Sequence, residues 1–224
     1  CNGVNNKCFD ISTYSLVLNF RHNIIQNNKG AGYDSYLGTI KCNKQLVIFE
    51  VHNVSFNNNI FDSLYGGGIG IQFLGINQIT FNKCNFNTNG AKQDKNGNRP
   101  TQPSKKPYHN GDGGAIQIGY ICTSNEYNVH FIDCLFKNNH AERHGGAIAI
   151  QTNMIVKIVS CVFENNEANY NFNSNKELLY ENHYDKKSEG RGGAIYINPS
   201  YSYQDDSNEC QSPNRFLSDI IIEK

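Results

Sequence analysis

Phe136-Lys137-Asn138-Asn139, then five residues, then Gly145-Gly146-Ala147-Ile148-Ala149-Ile150: this stretch holds one copy of a motif pair that recurs four times in the 224-residue chain. The first motif, Phe-x-x-Asn, stands at Phe56–Asn59, Phe86–Asn89, Phe136–Asn139 and Phe163–Asn166. The second follows each in turn, as Gly66-Gly67-Gly68-Ile69, Gly113-Gly114-Ala115-Ile116, Gly145-Gly146-Ala147-Ile148 and Gly192-Gly193-Ala194-Ile195. The order never changes. Self-similarity at a period of roughly 20–50 residues marks a solenoid, propeller or array.

The spacing narrows the choice. Phe56 to Phe86 is 30 residues and Phe136 to Phe163 is 27, whereas Phe86 to Phe136 is 50. The long interval holds a polar insert over 91–110, rich in Gly, Pro, Asn and Lys, which is loop chemistry. A second insert covers 169–189. Both fall after the Asn and before the glycines, as expected of a solenoid that takes insertions on one face. Within a unit the apolar residues alternate, as in Val129-His130-Phe131 and Val156-Lys157-Ile158, and a helical period is lacking. Three strands are read per unit: Gly-Gly-Ala-Ile-x-Ile, Ile/Val-x-Phe/Ile, and Cys-x-Phe. Stacked coil on coil about 4.8 Å apart, they make an all-β, right-handed parallel β-helix. The whole of 1–224 is read as one such domain of five to six coils.

The repeated residues then acquire physical roles. Ile116, Ile148 and Ile195 point inward, as do Phe86, Phe136 and Phe163. Cys84, Cys134 and Cys161 form a third inward column beside Val54, packing as thiols, with bridging between vertical neighbours as the alternative. The Asn of each Phe-x-x-Asn sits at a turn, where Asn tolerates left-handed backbone, bonds its own main chain and can stack into amide ladders. The glycines permit a tight entry into the next strand. Residues 10–41 hold a weaker copy of the unit, and Asp219–Lys224 reads as a strand just beginning, so a segment of a longer protein is expected.

Eight cysteines are many for a cytosolic chain. Cys1, Cys8, Cys42, Cys122 and Cys210 lie outside the inward column and are disulfide candidates, which favours an extracellular or cell-surface location. Cys1–Cys8 and Cys122–Cys210 are conceivable pairs, although connectivity does not follow from sequence. Asn53-Val54-Ser55 is a glycosylation sequon. Lys plus Arg and Asp plus Glu both total 20, and no basic stripe points to nucleic acid. No apolar run has membrane length.

The alternation of Gly-Gly-Ala-Ile with Phe-x-x-Asn over residues 54–197 resembles the repeat of the chlamydial polymorphic outer-membrane proteins. It also resembles adhesin-like repeats of protist and bacterial surface proteins in the pectate-lyase-like β-helix superfamily. The first unit departs in having Gly68 where Ala is usual. The resemblance implies a secreted or surface-displayed β-helix, adhesin-like or structural, with no cofactor.

One row of side chains invites a chemical reading. Asp112, His144 and Arg191 each precede a Gly-Gly pair and would stack on the glycine edge, an acid/base or ligand-binding row. The competing reading is a solvated polar ladder at a turn, and it is preferred. His140 and His144 would share a face only on a helix, so no metal site is expected. Asp112 beside Gly113-Gly114 has no acidic counterpart in the other units, which argues against a calcium repeat. Asp205-Asp206 lacks the companion motifs of β-helix hydrolases. The preferred function is a non-catalytic extracellular protein, adhesin-like or a structural subunit of a filament or coat. Its partners would be its own copies or other surface proteins, through Tyr180, Tyr184, Tyr196, Tyr201 and Tyr203. The alternative is a carbohydrate-active enzyme or glycan-binding module with its groove beside the glycine strand.

Overall fold

The computed structural model describes residues 2–4, 7–13, 17–31, 36–42, 48–62, 71–74, 78–92, 113–118, 128–142, 144–150, 155–168, 192–197 and 220–223. Within them every strand pairing is parallel, between corresponding segments of successive repeats. One six-stranded sheet stacks Val17–Arg21, Ile48–His52, Gln78–Asn82, Asn128–Ile132, Ile155–Val159 and Ile220–Glu223. A five-stranded sheet stacks Ile24–Gln26, Ser55–Asn57, Asn85–Asn87, Leu135–Lys137 and Val162–Glu164. The glycine-motif strands form two groups: Lys7–Thr13, Tyr36–Cys42 and Ile71–Leu74, then Ile116–Ile118, Ile148–Ile150 and Ile195–Ile197. This is a parallel β-helix.

The structure adds a fourth short strand to the three expected per coil. It follows the Asn and stacks as Asn2–Val4, Lys29–Ala31, Ile60–Asp62, Gly90–Lys92, His140–Ala141 and Glu167–Ala168. The first insert, expected over 91–110, is corrected at its start: Ala91 and Lys92 belong to this strand, with Ala91 buried. The weak copy at the N-terminal side is a full coil, for Val17–Arg21 and Ile24–Gln26 pair in register with Ile48–His52 and Ser55–Asn57. Gly66–Ile69 lie outside the described residues, and the strand nearest them begins at Ile71.

Period-2 patterning puts alternate residues of each strand inside. Phe49 with Val51, Val129 with Phe131, and Val156 with Ile158 are buried while their strand neighbours are partly exposed, and in Gln78–Asn82 Thr80 is buried along with Ile79 and Phe81. In-register stacking then sets like on like. Phe56, Phe86, Phe136 and Phe163 form a column of parallel rings with centroids 5.0, 4.6 and 4.7 Å apart. Phe81 and Phe131 stack beside it at 5.3 Å and meet Phe86 and Phe136 edge-on. Full burial of each such ring contributes about 1.5–3 kcal/mol.

Each coil turns twice between these sheets through a single residue in the left-handed region. The first corner uses His22, Asn53, Lys83, Asp133 and Ser160, and the second uses Asn27, Asn58, Thr88, Asn138 and Asn165. The backbone ladder continues through both, as in Lys83 N–H to Ile132 O at 2.9 Å and Thr88 N–H to Lys137 O at 3.0 Å. The left-handed residue is therefore the one before the Asn of Phe-x-x-Asn. The expectation that the motif Asn itself takes that conformation is corrected: its side chain points inward.

Candidate functional site

The motif asparagines build an internal ladder. Asn28, Asn59, Asn89 and Asn139 each donate from Nδ2 to Oδ1 of the next, ending at Asn166, over 2.9–3.0 Å. Each also donates its main-chain N–H to that same oxygen, over 3.0–3.3 Å. The second Nδ2 hydrogen of Asn59, Asn89, Asn139 and Asn166 reaches back one coil to Ile25 O, Phe56 O, Phe86 O and Phe136 O. The bonds therefore run to neighbouring coils and not, as expected from turn chemistry, to the residue's own main chain. Asn59, Asn89 and Asn139 are buried, and a buried amide is tolerable only when satisfied in this way.

The predicted thiol column is present. Cys84, Cys134 and Cys161 are free cysteines, the first two buried and the third half-buried. Leu135 N–H to Cys84 O and Val162 N–H to Cys134 O, both 2.9 Å, fix their stacking, and Asn85 N–H to Val54 O sets Val54 in the same column. Hydrogen bonds to Cys161 and Cys84, then burial, push the Cys134 thiol far above the ordinary range. The hydrogen bond with Cys134 lowers both Cys84 and Cys161.

On the glycine edge, the two glycines are required for different reasons. Gly113, Gly145 and Gly192 have φ of +66°, +64° and +64°, open to Gly at no steric cost. Gly146 has no such angle, but a Cβ there would strike Gly193 O and the main chain of Glu167. His144 precedes this pair with 1 % exposure, its ring stacked on Tyr196 of the following coil at 4.4 Å and 24°. The expected solvated ladder therefore does not describe His144. Asp112 and Arg191, its expected neighbours in the row, lie outside the described residues, as do Asp205 and Asp206. Tyr196 as the partner of His144 was not foreseen: the sequence reading groups it with loop residues, but it fills the x position of its Gly-Gly-Ala-Ile-x-Ile segment and lies on the strand Ile195–Ile197, opposite Ala149. The other members of the Tyr-rich loop set, Tyr180, Tyr184, Tyr201 and Tyr203, lie outside the described residues.

The outer faces are mixed. Lys137–Glu164 at 2.8 Å, His140–Glu167 at 3.8 Å and Lys157–Glu223 at 3.4 Å link successive coils. Such exposed pairs are worth about 0–1 kcal/mol each. Burial, then the Lys157 ammonium, lowers the His130 pKa. Ile132 pairs with Val159, and Leu135 with Val162, on the outward side of two adjacent coils, with Val162 47 % exposed. Asn53 is exposed at its corner, with Nδ2 3.0 Å from His22 Nδ1. Cys8 and Cys42 lie on the strands Lys7–Thr13 and Tyr36–Cys42, the latter residue opposite Thr13. Cys1, Cys122 and Cys210 lie outside the described residues. Among the described residues no group of three His, Cys, Asp or Glu converges on a metal position, and no helix is long and apolar enough to cross a membrane.

Residues 133–151 and 160–198 match the Chlamydia polymorphic membrane protein repeat. The two matches take in the last two motif pairs and about a quarter of the chain. The repeat is one of outer-membrane and surface proteins. No curated protein and no solved structure matches the chain.

Proposed function

We propose that this chain is a length of extracellular, surface-displayed β-helix that acts as a non-catalytic adhesin-like or structural element. The carrying observation is that the surface-protein repeat coincides with the residues that build the stack. Phe136, Asn139 and Gly146 are spent on coil-to-coil contacts, and Gly145 on a left-handed turn. That leaves the outward positions and the two sequence inserts to meet a partner. The preferred partners are other copies of the chain or other surface proteins, met through outward apolar groups such as Leu135 and Val162. The polysaccharide-enzyme reading receives no support from His144, whose burial against Tyr196 leaves it 1 % exposed.

Electron microscopy of the natively purified protein tests this reading first. End-to-end fibres or a surface layer are the outcome expected of a structural subunit, and monodisperse particles that bind cells or immobilised surface proteins are that of an adhesin. Cleavage of an oligosaccharide panel, abolished in an Asp112→Ala, His144→Ala pair, would overturn it in favour of an enzyme. We further propose Asn53 as a glycan acceptor, on its exposure and its sequon. Expression in a secreting eukaryotic host should give a mass shift removed by Asn53→Gln.

A further inference from the structure

We propose that Asn89–Gly90 is a self-modification site held shut by the fold. While its coil is closed the asparagine persists; when the coil opens, Asn89 converts to aspartate or isoaspartate and the coil cannot close again. Among the ladder asparagines Asn28, Asn59, Asn89, Asn139 and Asn166, only Asn89 is followed by glycine, the others preceding Lys29, Ile60, His140 and Glu167. The Cγ of an asparagine is open to attack by the main-chain nitrogen of the next residue. Glycine, with no Cβ, leaves that approach unhindered and its own backbone free to turn. Packing does not call for this glycine. Among the described residues a Cβ on Gly90 would meet Ile60 Cγ1 at 3.7 Å, with Ile60 Cγ2 and His140 O at 3.8 Å, all ordinary contacts. Its stacked counterparts Ile60 and His140 both carry side chains.

The reaction is intramolecular. Gly90 N, its proton lost to a base, adds to Asn89 Cγ. The adduct expels Nδ2 as ammonia and leaves a five-membered succinimide, and water opens the ring at either carbonyl. One water is consumed, one ammonia is released, and nothing is oxidised or reduced. The closed coil blocks each step. Gly90 N–H donates to Asn59 O at 2.8 Å, so it is neither bared to a base nor turned toward Cγ. Asn89 Nδ2 donates to Phe56 O at 2.9 Å and to Asn139 Oδ1 at 3.0 Å. Its Oδ1 accepts from the main-chain N–H and the side-chain amide of Asn59 at 3.1 and 3.0 Å. With Asn89 1 % exposed, hydroxide and water are kept from it.

Neither product fits the ladder. Aspartate loses both Nδ2 donors and sets carboxylate oxygens against Phe56 O and Asn139 Oδ1, and an unpaired buried charge is heavily disfavoured. Isoaspartate adds a methylene to the main chain between two fixed anchors, Asn89 N–H on Asn139 Oδ1 and Gly90 N–H on Asn59 O. An opening of this coil is thereby written into covalent structure.

The test holds the full chain at mildly alkaline pH, once folded and once in urea, and follows conversion of Asn89 by peptide mapping and mass spectrometry. In urea Asn89 is expected to convert alongside Asn2–Gly3, Asn96–Gly97 and Asn110–Gly111, the same dipeptide elsewhere in the chain. In the folded chain it is expected to convert at least tenfold more slowly, because conversion follows the population of the open coil. After a long hold in urea, the native chain is expected to lose refolding yield in step with conversion at Asn89. Gly90→Ala, which the packing admits, is expected to keep the melt, slow that conversion and retain the yield. Asn139→Ala, which strands the Asn89 donors, is expected to speed conversion at Asn89 at least tenfold under folding conditions. Conversion of Asn89 in the folded native chain at the urea rate overturns the proposal. So does an unchanged rate in Asn139→Ala, or a loss of refolding yield as large in Gly90→Ala as in the native chain.

Discussion

Asn139 Oδ1 accepts two hydrogen bonds from Asn89, one from the main-chain N–H and one from the side-chain amide, each 3.0 Å long. The Asn139 amide in turn donates to Phe86 O and to Asn166 Oδ1, both at 2.9 Å. An asparagine side chain offers two donors and an acceptor with two lone pairs, and here all of that capacity is used inside the core. Asn139→Ala would strand the two donors of Asn89, and leaving buried donors unsatisfied costs about 1–3 kcal/mol each. Destabilisation of about 3 kcal/mol or more is expected in urea unfolding followed by circular dichroism. Asn138→Gly, one residue earlier at φ +54°, should change stability by less than about 1 kcal/mol, since glycine suits that angle.

The glycine pairs offer a sharper contrast, because equivalent residues of two coils differ in what lies above them. A Cβ on Gly146 would strike Gly193 O and the Glu167 main chain, whereas on Gly193 its nearest neighbour among the described residues is Asn166 O at 3.6 Å. Gly146→Ala should cost about 3–5 kcal/mol or prevent folding, and Gly193→Ala should fall within roughly 1 kcal/mol of the native protein. Paired thermal melts read both. Equal losses at the two sites would contradict the close-approach argument.

Thr88 is the odd member of the second corner, a β-branched residue at φ +56° where its counterparts Asn27, Asn58, Asn138 and Asn165 are asparagine. Such residues fit that region poorly, and Asn fits it well. Thr88→Asn should stabilise by about 1 kcal/mol. It would also extend the outer amide row in which Asn58 Nδ2 donates to Asn27 Oδ1 at 2.9 Å. A raised urea midpoint with unchanged slope is the expected result.

His130 makes stability depend on pH. Burial and the facing Lys157 lower its pKa in the fold, while the unfolded imidazole titrates near its ordinary 6.5. Between the two values the unfolded chain binds more protons, so stability rises with pH across that window. Acidification removes this contribution as pH falls below about 6.5, until the folded imidazole is itself protonated. His130→Gln should flatten stability over that range. Lys157→Gln should raise the His130 pKa in an NMR titration, and no change would remove Lys157 as a cause.

Most of the fold was legible because each inward position repeats the same chemistry at a fixed offset. Phe136, Cys134 and Ile148 announce themselves by recurrence, and alternation in Val129-His130-Phe131 supplies the strand. The fourth strand was not legible. Gly90-Ala91-Lys92 and Glu167-Ala168 are too short and too unlike to show a period. The left-handed corner was assigned one residue late because Asn stands at both Asn138 and Asn139, and local propensity does not separate an outward Asn from an inward one. The burial of His144 depends on Tyr196, which reaches it only after the second insert, so no local pattern carries it. The Asp112–His144–Arg191 row was drawn from spacing alone, and spacing does not tell whether a turn position is wet.

The inserts enter between two points that are independently pinned. Ahead of the first, Gly90 N–H bonds Asn59 O at 2.8 Å; behind it, Gly113 N–H bonds His144 O at 2.8 Å. Whatever lies between leaves the register of the stack unchanged, and doubling the length of a flexible loop adds only about 0.6 kcal/mol of closure cost. The stack is thus compatible with inserted segments of different length and sequence at this point. Epitopes or binding peptides spliced in place of 93–110 could diversify freely while the rod beneath them keeps its melting temperature.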